Sequence, residues 1–332
     1  MFKNLAKRYS MLTALFAISL FFFVACSDNT NNPTVDESKL LIEYLESSDG
    51  GDYINTTGWS MTTAADVKTA ITADPASLYL IDIRAAADYT SGHIAGAINV
   101  QMKDLLTYYS TNNLSGKPKV VIICYTGQSA AYATSLLQLY GYKNVVSMKF
   151  GMSAWHTDFN MWKTKVSNQY YTEWNTTDMP KPAAGALPVL NTGKKTGKEI
   201  LQARVAALLT EGFSTASIPA ATLYGDISNY FVVAYWSNSD YLKGHVNGAV
   251  DYLSKSSLKT STTLYTLPAN KKIAVYCYTG HTAAFAVAFL KVLGYDAKSV
   301  LYGGNGMAYQ FMLDNKMSAY KDTDCMDYTY AK

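Results

Sequence analysis

The chain has 332 residues, room for about two domains of roughly 100–200 residues each, and 49% of them are hydrophobic, enough to build real cores. Lys and Arg number 28 against 25 Asp and Glu, and three of the basic residues, Lys3, Lys7 and Arg8, lie at the extreme N-terminus. Without that basic start the charges balance, and no basic cluster offers a footprint for nucleic acid.

The basic start precedes MLTALFAISLFFFVA (11–25), an apolar run that is short for a bilayer span and fits the central region of a secretory signal. It ends in Phe23-Val24-Ala25-Cys26, which resembles the lipobox of bacterial lipoproteins, with Phe23 where an aliphatic residue is usual. That resemblance implies lipid on Cys26 and an exported protein anchored in the cell envelope, facing the periplasm or the cell surface. The polar stretch SDNTNNPTVDES (27–38) cannot pack and reads as a tether.

LLIEYLES (40–47) is the first apolar-periodic helix. LYLIDI then reads as a strand, followed by a helix near 101–109, the strand VVIIC, a helix over 129–140 and the strand VVSMK. MPKPAAGALPVLNTGKK (179–195) is rich in Pro and Gly, lacks periodicity and reads as a linker. EILQARVAALLTEGF (199–213) follows, with Leu201, Val205, Leu208 and Leu209 on one helical face.

One segment occurs twice. VVIICYTGQSAAY (120–132) returns as IAVYCYTGHTAAF (273–285). Upstream, Asp88-Tyr89, His93 and Gly96-Ala97 match Asp240-Tyr241, His245 and Gly248-Ala249; downstream, Gly141-Tyr142 matches Gly294-Tyr295. A period near 153 residues is far too long for a solenoid and means duplicated domains. The expected divisions are a signal peptide over 1–25, a tether over 26–35, a first domain over 36–172, a linker over 173–195 and a second domain over 196–332. Near-continuous apolar strands alternating with helices predict, for each domain, an α/β fold with a mainly parallel sheet covered by helices on both faces.

Each copy runs from a buried strand through cysteine and a Gly-containing loop into a helix. Backbone N–H groups converge there and the helix dipole favours negative charge, so Cys124 and Cys277 are expected to be accessible thiolates near neutral pH. Tyr125, Thr126, Gly127, Gln128 and Ser129 form the first anion-binding loop; Tyr278, Thr279, Gly280, His281 and Thr282 form the second.

These motifs resemble the rhodanese (sulfurtransferase) family over most of the chain beyond the tether. Asp82-x-Arg84, Asp88-Tyr89, Gly92-His93-Ile94-x-Gly96-Ala97, Cys124-x-x-Gly127 and Gly151-Met152-Ser153-Ala154-Trp155 stand in family order. The resemblance implies that Cys124 takes the sulfane sulfur of a donor, carries it as a persulfide and yields it to a thiol or cyanide-like acceptor. It implies no cofactor, the persulfide being the carrier. In the second copy Ala234 and Trp236 stand where the Asp/Arg pair would be, leaving Cys277 as a second candidate.

Related phosphatases place Arg six residues after the cysteine; that residue here is Ala130, and neither loop holds Arg, which argues against phosphoryl transfer. Many rhodaneses carry Arg where Ser129 stands, so a weakly charged persulfide or polysulfide donor fits better than thiosulfate. His281 has two readings, a group that stabilises a thiolate or delivers a proton, and a solvated loop residue. His93 and His245 are expected to fix turns, Asp82 and Arg84 to form a local ion pair, and His156 to lie at the surface. The four histidines show no metal-site spacing. The 27 tyrosines are assigned to strands and surface. Neither loop has a resolving cysteine for thiol–disulfide exchange, and Cys325 would serve only if the fold brought it close. A non-catalytic binding or sulfur-sensing module is the rival reading.

Overall fold

The computed structural model describes residues 35–54 and 59–332, so the expected signal segment and Cys26 lie outside the described residues. Residues Asp36–Lys332 form one compact unit. Among the described residues no helix is long and apolar enough to cross a membrane.

The first repeat contains α1 (Glu37–Leu45), β1 (Met61–Thr62), α2 (Ala64–Ala73), β2 (Tyr79–Asp82), α3 (Ala86–Ser91), β3 (Ile98–Asn99), α4 (Leu105–Thr111), β4 (Val120–Ile123), α5 (Gln128–Tyr140) and β5 (Val145–Met148). After the short β6 (Trp174–Asn175), the second repeat contains α6 (Gly197–Glu211), β7 (Ser217–Ile218), α7 (Ala220–Gly225), β8 (Tyr230–Ala234), α8 (Asn238–Tyr241), β9 (His245–Val246), β10 (Val250–Asp251), β11 (Lys272–Tyr276), α9 (His281–Val292), β12 (Ala297–Val300) and α10 (Tyr309–Asp314). Local chemistry sets the starts of α2 and α6: Thr63 with Asp66, and Thr196 with Glu199, form reciprocal capping boxes.

Both main sheets are five-stranded and parallel, in the orders β1-β5-β4-β2-β3 and β7-β12-β11-β8-β10. The two repeats therefore share one topology, with the cysteine-bearing strand in the middle. Alternate residues of β4 enter different cores: Val120 and Ile122 face α5, while Val121 and Ile123 face the outer core with Trp155 and Trp162. Two buried faces explain why the strand reads as unbroken Val and Ile.

The inner face is shared. Leu136 and Leu137 of α5, Phe285 and Phe289 of α9, and Leu201, Val205, Leu208 and Leu209 of α6 belong to one core between the sheets. Alanines 130, 131 and 133 of α5 and 283, 284 and 286 of α9 are also buried there, and their small size lets the two helices approach. Many tyrosines are core residues as well: Tyr109, Tyr132, Tyr235, Tyr241, Tyr252, Tyr276 and Tyr320 are fully buried. Tyr276 lies on β11 as expected, while the other six are buried outside the strands, which corrects the expectation for them; each ring supplies apolar area while most of the hydroxyls find a partner.

The segments following each repeat are exchanged. Residues after the first repeat pair with the second: Ser167 N donates to Asn305 O (2.9 Å), Tyr170 N donates to Met307 O (3.0 Å), and β6 pairs antiparallel with β9. The C-terminal segment returns to the first repeat, where Met326 N donates to Ala154 O (2.9 Å), Tyr328 N donates to Trp155 O (2.7 Å), and Ala331 and His93 exchange two backbone bonds. Residues 187–193 form no regular element but are held in place. The Glu37 carboxylate accepts from Thr192 N and Oγ1 (2.7 Å each) and Gly193 N (2.8 Å), and Leu190 is buried. Burial acts against the Glu37 charge, yet these donors outweigh it and hold the carboxyl below its ordinary pKa.

Candidate active site

Cys124 follows directly on β4, and the chain then turns through Gly127 (φ +85°) into α5. The turn aims the helix-start amides at sulfur: the N–H groups of Gly127 and Ala130 donate to Cys124 Sγ at 3.1 and 3.4 Å. Ser129 contributes a hydroxyl bond. The Gly151–Ala154 turn braces this loop from beneath, because Met152 N and Ser153 N donate to the carbonyls of Cys124 (2.8 Å) and Tyr125 (2.9 Å). Trp162 Nε1 donates to Thr126 O (3.1 Å), so every carbonyl of Cys124, Tyr125 and Thr126 is held. The second loop repeats the design: Ala283 N donates to Cys277 Sγ (3.3 Å), while Gly304 N and Asn305 N brace Cys277 O and Tyr278 O.

The expected accessible thiolates are corrected. Cys124 is 4% exposed and Cys277 1%. Burial pushes both thiols above the ordinary cysteine pKa, more strongly than the amide donors pull them down. The cradle is present; its contents are protonated and shut in.

The cover comes from the opposite repeat. His281 opens α9, and its Nε2 accepts from Phe150 N (3.1 Å) while Nδ1 lies 2.8 Å from Thr279 Oγ1. Because Nε2 accepts, the proton sits on Nδ1 and the ring is neutral. Burial, reinforced by the charge of Lys149, depresses its pKa to about 3. His281 is buried rather than solvated, and as a neutral ring near neutral pH it carries neither an imidazolium charge for a thiolate nor an acidic proton to deliver. Gln128 opens α5 and does the mirror-image work, its Oε1 accepting from Tyr302 N (2.8 Å). Gln128 and His281 are thus interface residues rather than lining for a bound anion. Gly127 and Gly280 make this approach possible, since a Cβ on either would collide with His281 or Gln128.

Aromatic rings complete the cover over the first loop. Trp162 stacks on His281 (6.0 Å) and meets Tyr302 edge-on (5.0 Å); Phe150 and Tyr320 pack alongside. These residues escaped the sequence reading, although Phe150-Gly151 and Tyr302-Gly303, an aromatic-glycine pair lying 26 residues after Cys124 and 25 after Cys277, carried the available signal.

Asp82 and Arg84 are buried together, with Arg84 Nη2 at 2.7 Å from Asp82 Oδ2 and 2.6 Å from Gly92 O. The guanidinium lies over the rings of Tyr125 (5.0 Å) and Phe159 (5.4 Å), so the pair supports the loop from behind. Tyr125 OH donates to Asp88 (2.9 Å), as Tyr278 OH does to Asp240 (2.6 Å). His93 Nδ1 lies 3.0 Å from Tyr89 O, and His245 bridges Tyr241 O (2.8 Å) and Thr177 O (2.9 Å), positions that order the turns after α3 and α8. His156 is partly buried rather than free at the surface, its Nδ1 accepting from Asp158 N (3.1 Å). The Thr126 hydroxyl accepts from Gln128 (3.3 Å), whereas Thr282 contributes a backbone bond to Cys277. Cys325 carries a bond to Asn160.

The sequence profile of the rhodanese-like domain matches residues 63–158 and again 234–306, together just over half of the chain. The chain belongs to the rhodanese-like family and carries two such domains. It is similar to the thiosulfate sulfurtransferase GlpE of Shewanella oneidensis, 34% identical over 80 residues that cover 24% of this chain and 77% of that protein. The GlpE protein of Pseudomonas fluorescens is 30% identical over 80 residues, covering 24% of this chain and 72% of the relative. Among solved structures, a thiosulfate sulfurtransferase from Pseudomonas aeruginosa aligns over 87% of this chain and 70% of its own at 16% identity, with a TM-score of 0.27.

Proposed function

We propose that this protein is a sulfurtransferase that carries sulfane sulfur on Cys124. The observation that carries the reading is the ring of donors at one sulfur: Gly127 N, Ala130 N and the Ser129 hydroxyl all address Cys124 Sγ. In an opened state, the thiolate attacks the terminal sulfur of R–S–SH; the S–S bond breaks, R–S⁻ leaves, and Cys124–S–SH remains. An acceptor thiolate R′–S⁻ then takes that sulfur as R′–S–SH and restores the cysteine thiolate. The amides hold the charge on the inner sulfur as it is regenerated. No Arg is present in the loop to grip a dianion, which supports a persulfide or polysulfide donor over thiosulfate.

Intact mass after exposure to inorganic polysulfide tests this. The unsubstituted protein should gain one sulfur that cyanide removes as thiocyanate; Cys124→Ser should gain none there, and Cys277→Ser should keep the gain. No uptake in the unsubstituted protein would favour the second reading, a docking or sulfur-sensing module without turnover. The burial of both thiols supports that alternative.

The same proposal places the protein on a membrane through lipid at Cys26, supported by the basic start, the apolar run and Val24-Ala25-Cys26. Incorporation of labelled fatty acid should occur in the full chain and vanish in Cys26→Ser; equal labelling of the two would remove the anchor.

A further inference from the structure

The two cysteine loops close each other. Gln128 and His281 hold equivalent places, one residue past the left-handed glycine and first in the helix that follows. Each crosses to the other repeat, takes the N–H of the residue before its bracing turn, and sits against the other loop's glycine. Both side chains are buried. Tyr302, whose N–H Gln128 accepts, packs on the outer core of the first repeat and meets Trp162 edge-on at 5.0 Å. The roof over the first cysteine therefore draws His281 and Tyr302 from the second repeat, set against Trp162 and Phe150 of the first.

Two further ties fasten the closed arrangement. Ser135 Oγ on α5 donates to Phe285 O on α9 (3.0 Å), and the exchanged segments at 167–175 and 326–331 each seat on the repeat they did not follow. With the ends held this way, wide separation of the repeats would break two strand-like pairings. A small parting where α5 and α9 begin would break the Gln128 and His281 hydrogen bonds, which water can replace, and loosen the packing of Trp162 and Phe150 on His281 and Tyr302, while leaving both pairings intact.

We propose that Gln128 and His281 are gate residues acting in trans: His281 shuts the Cys124 loop and Gln128 shuts the Cys277 loop, so each repeat controls access to the other's thiol. The value of this gate for sulfur transfer rests on the sulfurtransferase reading; the closure itself does not. Such a gate keeps the thiols from casual oxidation and ties sulfur loading to whatever parts the interface.

Site-resolved alkylation of the full chain by iodoacetamide, followed by peptide mass spectrometry, tests the proposal. His281→Ala should raise the Cys124 rate about tenfold and exceed any rise at Cys277; Gln128→Ala should do the reverse. His281→Gln, which supplies the accepting amide used by the first repeat, should restore slow labelling. The rate at Cys325 should stay constant in folded variants. Equal rises at both cysteines, a rise confined to the substituted loop's own cysteine, or no change would each overturn the gate.

Should either alanine variant fail to fold, the unsubstituted protein decides. Where opening limits labelling, Cys124 and Cys277 should each react faster than global unfolding; a rate equal to unfolding at both cysteines would defeat the proposal. Polysulfide loading is scored independently. Rapid alkylation without sulfur uptake in His281→Ala would sink the transfer reading and leave the gate, whereas sulfur uptake with unchanged alkylation would do the opposite.

Discussion

Asp82→Ala should destabilise the protein by about 3–5 kcal/mol, because it strands a charged guanidinium in the interior. Arg84 is 4% exposed and Asp82 is fully buried, and the carboxylate receives Arg84 Nε (3.0 Å), Nη2 (2.7 Å) and the Arg84 backbone N–H (3.0 Å). The remaining guanidinium contacts, Gly92 O and two aromatic faces, cannot neutralise it. The second repeat shows how the fold manages without the pair. Ala234 and Trp236 stand at these positions, and Trp236 packs at 5.2 Å from Tyr278, where Arg84 lies over Tyr125. Replacing both partners, Asp82→Ala with Arg84→Trp, should therefore cost less than Asp82→Ala alone, since no buried charge is left unpaired. Urea unfolding of the two variants checks this. A double variant less stable than the single one would show that the pair contributes more than charge compensation.

Acidification should weaken the fold through His281, and His281→Gln should remove that sensitivity. The folded imidazole has a pKa of about 3 against an ordinary 6.5, so the unfolded chain binds the proton more readily. Stability from this group is complete above pH 6.5 and is lost as pH falls toward the folded value. Between pH 7 and about pH 4.5 the loss should be about 2–3 kcal/mol, at 1.36 kcal/mol per unit of pKa difference. In His281→Gln the acid side of the stability profile should flatten by that amount, while stability near neutrality changes little because the amide oxygen can accept from Phe150 N. Denaturation at the two pH values measures the difference. Parallel profiles would mean that His281 already meets water in the folded state.

The parts of the fold visible in the sequence are those that local chemistry writes. Val120–Ile123 predicts a strand buried on both faces, and both faces enter cores. The repeat implied one architecture twice, and both sheets share one strand order. Element ends were less legible: the helix expected over 40–47 runs Glu37–Leu45, because the Asp36 side chain caps Lys39 N and starts it earlier. The expected linker ran through 173–195 with no hint that Glu37 would grip its far end, since that bond joins residues about 155 positions apart.

The site divides in the same way. The strand, cysteine, glycine turn and helix start are contiguous, so the donor ring at Cys124 follows from order along the chain. Exposure of the sulfur does not follow from that order. The amides lower the thiol pKa and burial raises it, and the balance depends on which surface covers the loop. Gln128 and His281 looked like loop residues because their partners, Tyr302 N and Phe150 N, are more than a hundred residues away. Sequence alone determined two rhodanese-like units, each with a cysteine at a helix start, because hydrophobic period and turn chemistry act over a few residues. Only the tertiary structure decided that the units share an inner core, exchange their trailing segments and close each other's thiols. Those outcomes are set by which surfaces meet, and desolvation at that meeting outweighs the local pull of the amides.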